Sequence, residues 1–169
     1  AQFELVDIKD FNLPLLDEPA PPSQGKYSQE HTKKWAAKIA SFDGYVFVAP
    51  EYNHGICGAL KNAIDFLYAE WNNKAAGFVG YGSAGGARAV EHLRLVMAEV
   101  QVATVRNRVA LVPLHDFENV TTIKPASYAS KYCTPIHAHP YPWAGATNRR
   151  RCPPAPETPT RGGTRVTLA

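Results

Sequence analysis

The stretch GYVFVAP, residues 44–50, constrains the fold more than any other. A strand with one face in water alternates apolar and polar residues. A run with no alternation has both faces covered, as in a parallel sheet. Two more runs of this kind follow, AAGFVGYG at residues 75–82 and NRVALVPL at 107–114. FELVDI, residues 3–8, alternates and reads as a further strand. Helical periodicity lies between them. YSQEHTKKWAAKIASF places Trp35, Ile39 and Phe42 at helical spacing, with Ser28 as its N-cap. ALKNAIDFLYAEW puts Leu60, Ala63, Ile64 and Leu67 on one face, and ARAVEHLRLVMAEV does so for Val90, Leu93, Met97 and Val100. Strands alternating with helices predict an α/β fold, a parallel sheet in a three-layer sandwich.

This pattern stops near residue 123. Residues 1–123 hold 11 Lys/Arg against 14 Asp/Glu, a balance of −3; residues 124–169 hold 7 Lys/Arg against Glu157 alone, a balance of +6. Eight of the 14 prolines fall in that second part. The division expected is one partial α/β domain over 1–123 and an irregular Pro/Arg-rich tail over 124–169. The arginines of NRRR, residues 148–151, have no nucleic-acid-binding motif around them, so no nucleic-acid partner is expected. No apolar run approaches the roughly 20 residues of a membrane span. The first residues, AQFELVDIKD, read as folded material rather than as a signal peptide. Cys57, Cys133 and Cys152 form no C-x-x-C pair, which fits a reducing cytoplasm. Cys133, His137 and His139 match no standard zinc spacing, and no metal site is expected.

In an open parallel sheet, ligands bind beyond the carboxyl ends of the strands. Two loops belong there: PEYNHGICG at residues 50–58 and GSAGGAR at 82–88. Both run into helices, whose first amides lack intrahelical partners and favour electron-rich groups. Either loop alone can be a plain strand-to-helix turn. GSAGG also lacks the Lys-Ser/Thr ending of a nucleoside-triphosphate loop. On successive strands the two lie side by side, and that pairing marks a ligand site. His54 reads as a solvent-facing loop histidine rather than an acid/base, and Cys57 as a packing residue.

PEYNHGICGALKNAID followed by GYGSAGGARAVEHLR, with Trp71-x-x-Lys74 between them, resembles the NADPH-dependent FMN reductase family. The resemblance covers about residues 3–119 and implies a flavodoxin-like fold. It implies that Pro50, Glu51, Tyr52, Asn53 and Gly55 pass one side of the isoalloxazine ring. Ser83, Ala84, Gly85 and Gly86 would line the other side. The Asn53 amide both donates and accepts, which suits a heterocycle with both kinds of group. The implied activity is hydride transfer from NADPH or NADH to FMN, and on to a small-molecule acceptor: flavin, a quinone, an azo compound or a metal ion. No catalytic side chain is expected, because the cofactor carries the chemistry. The resemblance also implies a homodimer or homotetramer. Lys61 and Asp65, spaced i, i+4 in the weaker orientation, are expected to reach a second subunit.

Family members begin with a strand, a Gly-Ser-x-Arg type of phosphate loop and a helix, for which residues 1–123 offer no counterpart. Their first strand lies between the second and third, so its loss predicts an unpaired gap in mid-sheet. The closing helix is likewise not expected beyond Val120. A second reading follows: a non-catalytic remnant of the family with weak or no FMN binding. Loss of several phosphate bonds, each worth about 1.5–3 kcal/mol, would weaken FMN binding by orders of magnitude.

Overall fold

The computed structural model describes residues 2–119, 121–124 and 165–168. Its strands are β1 (Gln2–Leu5), β2 (Gly44–Tyr52), β3 (Gly55–Ile56), β4 (Lys74–Tyr81), β5 (Val102–Leu111), β6 (Phe117–Glu118), β7 (Thr122–Ile123) and β8 (Arg165–Leu168). Its helices are α1 (Glu30–Ala40), α2 (Gly58–Asp65), α3 (Ala87–Glu99) and the short α4 (Pro113–Asp116). The main sheet has the order β1-β8-β2-β4-β5, all parallel, and β3 folds back antiparallel on β2. Strands β6 and β7 form a separate pair. Among the described residues, no helix is long and apolar enough to cross a membrane.

The apolar runs become the sheet's centre because alternate residues serve two different packings. Tyr45, Phe47, Ala49, Ala76 and Phe78 meet Trp35 and Ile39 of α1, Leu60 and Ile64 of α2, and Val90, Leu93 and Met97 of α3 in one large core. The residues between them face the other way. Val46, Val79 and Tyr81 join Val105, Val109 and Leu111 in a smaller cluster. The indole N–H of Trp35 donates to the Ala63 carbonyl at 2.8 Å and that of Trp71 to Ile64 at 3.1 Å, so both tryptophans bury without losing a bond. Lys74 is only 4% exposed. Its ammonium donates to the Ile39 carbonyl and to the Tyr45 hydroxyl, each at 2.9 Å. Trp71 and Lys74 of the W-x-x-K motif thus tie α1, α2 and the sheet together, with the cation at the carbonyl end of α1.

Several boundaries differ from expectation: the strand expected over 107–114 runs over Val102–Leu111 and is followed by α4, and the helix expected to reach Trp71 ends at Asp65. The first strand ends at Leu5, and Ile8–Phe11 forms a 3-10 turn instead. The Asp7 carboxylate accepts from the Lys9 amide at 2.9 Å and caps that turn, a local bond that alternation cannot reveal. Ser28 does not cap α1, whose N-cap is Gln29. The Ser28 amide and hydroxyl both donate to Glu18 at 2.8 Å, and Gln29 N–H adds 3.0 Å. Burial pushes the Glu18 carboxyl up, but its bonds to Ser28, Thr32 and Gln29 outweigh that and hold it down at about 2.

The expected gap in mid-sheet is closed. Strand β8 enters between β1 and β2 and pairs in parallel with both, from Gln2↔Arg165 to Leu5↔Leu168 and from Gly44↔Val166 to Val46↔Leu168. Over these four residues the expectation of an irregular tail is corrected. Proline content measured over the whole tail hides RVTL, which is proline-free and rich in β-branched residues. The remaining tail features, including Cys133, His137, His139 and the arginines at 149–151, lie outside the described residues.

Candidate functional site

The two loops lie at the carboxyl ends of neighbouring strands β2 and β4. Past Tyr52 the chain turns in two residues, with Glu51 opposite Ile56 and Tyr52 opposite Gly55. Asn53 has φ 47 and His54 φ 70, so both central residues are left-handed, as a two-residue hairpin requires. Asparagine tolerates that conformation; histidine adopts it at a cost. The second loop turns on Gly85 and Gly86, at φ 61 and 64. A Cβ on Gly86 would stand 2.5 Å from the Tyr81 nitrogen, and one on Gly85 would stand 2.9 Å from Ala110 Cβ. Only glycine lets this loop lie flat on the strands below it. The loops touch: a Cβ on Gly82 would be 3.2 Å from Glu51 Cβ.

A charged cluster joins them. Glu51 is buried, its side chain 4% exposed, and it forms an ion pair with the Arg88 guanidinium. It also accepts from the backbone N–H of Arg88 at 2.9 Å and approaches that of Ala89 at 3.5 Å, at the amino end of α3. Burial pushes its pKa up. The Arg88 guanidinium and these amides prevail and hold it below the usual carboxylate range. Arg88 Nη1 lies 3.2 Å from His54 Nδ1. Burial beside Tyr52 and Cys57 raises the Tyr81 phenol, which keeps it a neutral hydroxyl.

Among the described residues, no hydrogen bond engages the backbone N–H groups of Asn53, His54, Ser83 and Ala84. These loops therefore offer free donors from two sides, beside the exposed ring of Tyr52 (64%). That donor set fits the carbonyl and nitrogen edge of a flavin ring. Further along the crevice, between β1 and the start of α2, lies a cavity of about 560 Å³. Leu5, Ile8, Leu13, Val48, Cys57 and Leu60 are among its walls, with Lys9 its one described cation and Asp7 its one described carboxylate. The amide donors of the two loops are of the kind that would hold the ring end of an FMN. For a phosphate dianion the described walls supply little charge.

The structure brings Pro50 to Gly55 and Ser83 to Gly86 together, in distinct roles. Tyr52, Asn53, Ser83 and Ala84 are exposed at the loop surface, while Gly85 and Gly86 are buried beneath it. The Glu51 carboxylate turns away to α3. Gly55 has room for a Cβ, whose nearest neighbour, His92 Nδ1, would be 3.5 Å away. Lys61 and Asp65 pair within α2 at 2.6 Å. Arg88 was not among the expected site residues. Its signal was a cation at the end of the second loop and an anion inside the first.

An open parallel sheet covered by helices, with a hairpin and a glycine turn at adjacent strand ends, is a flavodoxin-like α/β fold. Residues 1–116 match the family described as NADPH-dependent FMN reductase, and the chain belongs to it. It is 49% identical over 104 residues to "NAD(P)H-dependent FMN reductase ntnL" of Nectria sp, covering 57% of this chain and 52% of that protein. With "NAD(P)H-dependent FMN reductase C4B3.06c" of Schizosaccharomyces pombe it shares 40% over 132 residues, 77% of this chain and 66% of that one. The chain thus spans about half to two thirds of the length of these relatives. The flavoenzyme NAD(P)H:(acceptor) oxidoreductase FerB of Paracoccus denitrificans superposes with TM-score 0.60 at 19% identity, over 88% of this chain and 81% of that one, a likeness of fold.

Proposed function

We propose that this chain forms the ring-binding part of a flavin-dependent NAD(P)H oxidoreductase, with FMN as cofactor, NADPH or NADH as donor and a small-molecule acceptor. The observation that carries the proposal is the contact of two loops at the ends of neighbouring strands, whose Asn53, His54, Ser83 and Ala84 amides make no hydrogen bond among the described residues. When bound, FMN supplies the redox chemistry, taking a hydride from the nicotinamide and passing electrons to the acceptor. The chain's residues bind and orient. Asn53 and His54 amides meet the ring from the hairpin, and Ser83 and Ala84 amides from the glycine turn. Tyr52 and Pro50 provide an apolar wall, Glu51 holds the hairpin against α3, and Gly85 and Gly86 keep the turn low enough for the ring to approach. Relatives named as a flavin reductase subunit, an azoreductase and a benzoquinone reductase support a flavin, azo or quinone acceptor. The free thiol of Cys57 fits a reducing compartment such as the cytoplasm.

The same reading puts a second subunit against α2, with Lys61 or Asp65 exchanging its intrahelical partner for one across the interface. Sedimentation tests that: a monomer at every concentration removes it. For the cofactor, FMN is titrated into the full chain and followed by visible absorbance and flavin fluorescence. Saturable binding with quenched fluorescence, and NADPH oxidation that depends on added quinone, is the expected result. No binding at millimolar FMN overturns the proposal and leaves the non-catalytic remnant.

A further inference from the structure

We infer that Arg88 is a positioning residue that clamps the β2–β3 hairpin to the amino end of α3 and sets the spacing between the two pairs of loop amides. Its link to flavin rests on the function proposed above; the clamp does not. Arg88 acts in three directions from one position. Its backbone N–H and its guanidinium both reach the buried Glu51 carboxylate, which lies two residues before the hairpin tip. Its Nη1 meets His54 Nδ1, at the tip itself. A guanidinium carries only donors and stays protonated, so Nη1 donates and His54 Nδ1 accepts. That fixes His54 as the tautomer with its proton on Nε2.

The tip needs such a clamp. His54 sits at φ 70, a conformation that persists in a non-glycine residue only where its surroundings over-determine it. Two residues of a hairpin cannot alone decide how the tip leans relative to α3. The contacts that decide it here come from α3: Arg88 on Glu51 and His54, and His92 beside Gly55. The Asn53 and His54 amides move with the hairpin. The Ser83 and Ala84 amides move with the glycine turn, four and five residues before Arg88 on the same chain. Arg88 is therefore the side chain that converts two separate loops into one site of fixed width. Lysine would keep the charge but lacks the planar fork that reaches two acceptors at once. Arg88 Nε is buried with no partner among the described residues, so the fork is held by Glu51 and His54 through its outer nitrogens.

The test compares the full chain with Arg88→Lys, using lumiflavin, a phosphate-free ring, as the probe. Nitrogen NMR of His54 in the ligand-free protein reports the tautomer. The wild type should show the Nε2–H form, and Arg88→Lys a mixture of the two. Lumiflavin affinity should fall about tenfold in Arg88→Lys, the scale of one charge-assisted hydrogen bond. If Arg88→Lys does not fold, the double variant Glu51→Gln/Arg88→Met, which leaves no buried charge unpaired, takes its place. An unchanged tautomer overturns the clamp. A changed tautomer with lumiflavin affinity within twofold of wild type overturns its role in the ring site. If the wild type itself binds no flavin, the proposed function fails, while the His54 tautomer still decides the clamp.

Discussion

At the β2–β4 end of the crevice the chain is held by side chains and by glycine geometry; at the β1–β8 end main-chain pairing leads, joined by the ion pair of Glu4 with Lys38 of α1. The first region has Gly85 and Gly86 pressed on the strands and a buried Glu51–Arg88 pair. The second has β1, whose four residues are all exposed and which, among the described residues, pairs with β8 alone. The lesson concerns tolerance. A site fixed by particular atoms admits few sequences, whereas a site fixed by backbone bonds accepts any segment able to extend in register.

The comparison breaks most readily at Gly86. Replacing it with alanine drives a Cβ to within 2.5 Å of the Tyr81 nitrogen at a left-handed φ. We expect a loss of about 3 kcal/mol or more, measured by denaturant unfolding. If Gly86→Ala costs less than 1 kcal/mol, as it would at an ordinary surface position, the first region is not held by its glycines.

Val166→Pro tests the second region through the backbone alone. It removes a ladder donor in β8, with an expected loss of about 1–3 kcal/mol. Hydrogen exchange should locate the effect. Amides of Gln2–Leu5 and Gly44–Val46 should lose protection, while those of Gly82 and Gly85, bonded to the Leu111 and Gly82 carbonyls, keep theirs. Equal loss at both ends would show a single unit rather than two regions.

Acid should distinguish them next. The folded pKa of Glu51 lies below its unfolded value of about 4.3. Its contribution is therefore complete above that value and is lost as pH falls through the folded pKa. Glu18, held at about 2, contributes over the same window. Stability measured from pH 5 to 2 should fall less steeply in Glu51→Gln and in Glu18→Gln than in wild type. A slope unchanged in both would deny that these carboxylates are anchored. The smallest effect is reserved for Leu5→Ser. Leu5 is 77% exposed, and stability should move by no more than about 0.5 kcal/mol.

The same contrast explains what could be read from the chain. The strands at 45–49 and 76–81 were legible because burial on both faces leaves an unbroken apolar run. The stripes of Leu60, Ala63 and Ile64 and of Val90, Leu93 and Met97 were legible because one helical face meets one core. The loops followed from strand order. What escaped depended on partners distant in sequence. Ser28 answers to Glu18, Arg88 to Glu51 and His54, and β8 to strands far back along the chain. RVTL is too short to declare itself as a strand. Its place is decided by an empty slot whose two walls were made much earlier.

That order has a consequence for synthesis. Among the described elements a ribosome makes β1 before the others and β8 after them, yet among those elements β1 pairs in the main sheet with β8 alone. Until Leu168 has emerged, the β2 edge of the β2-β4-β5 sheet and β1 itself both lack the strand they pair with in the finished fold. Such non-local pairing is slow, and an uncovered edge is what other unfinished chains pair with. Of the described strands, the one made last is the one that covers this edge of β2.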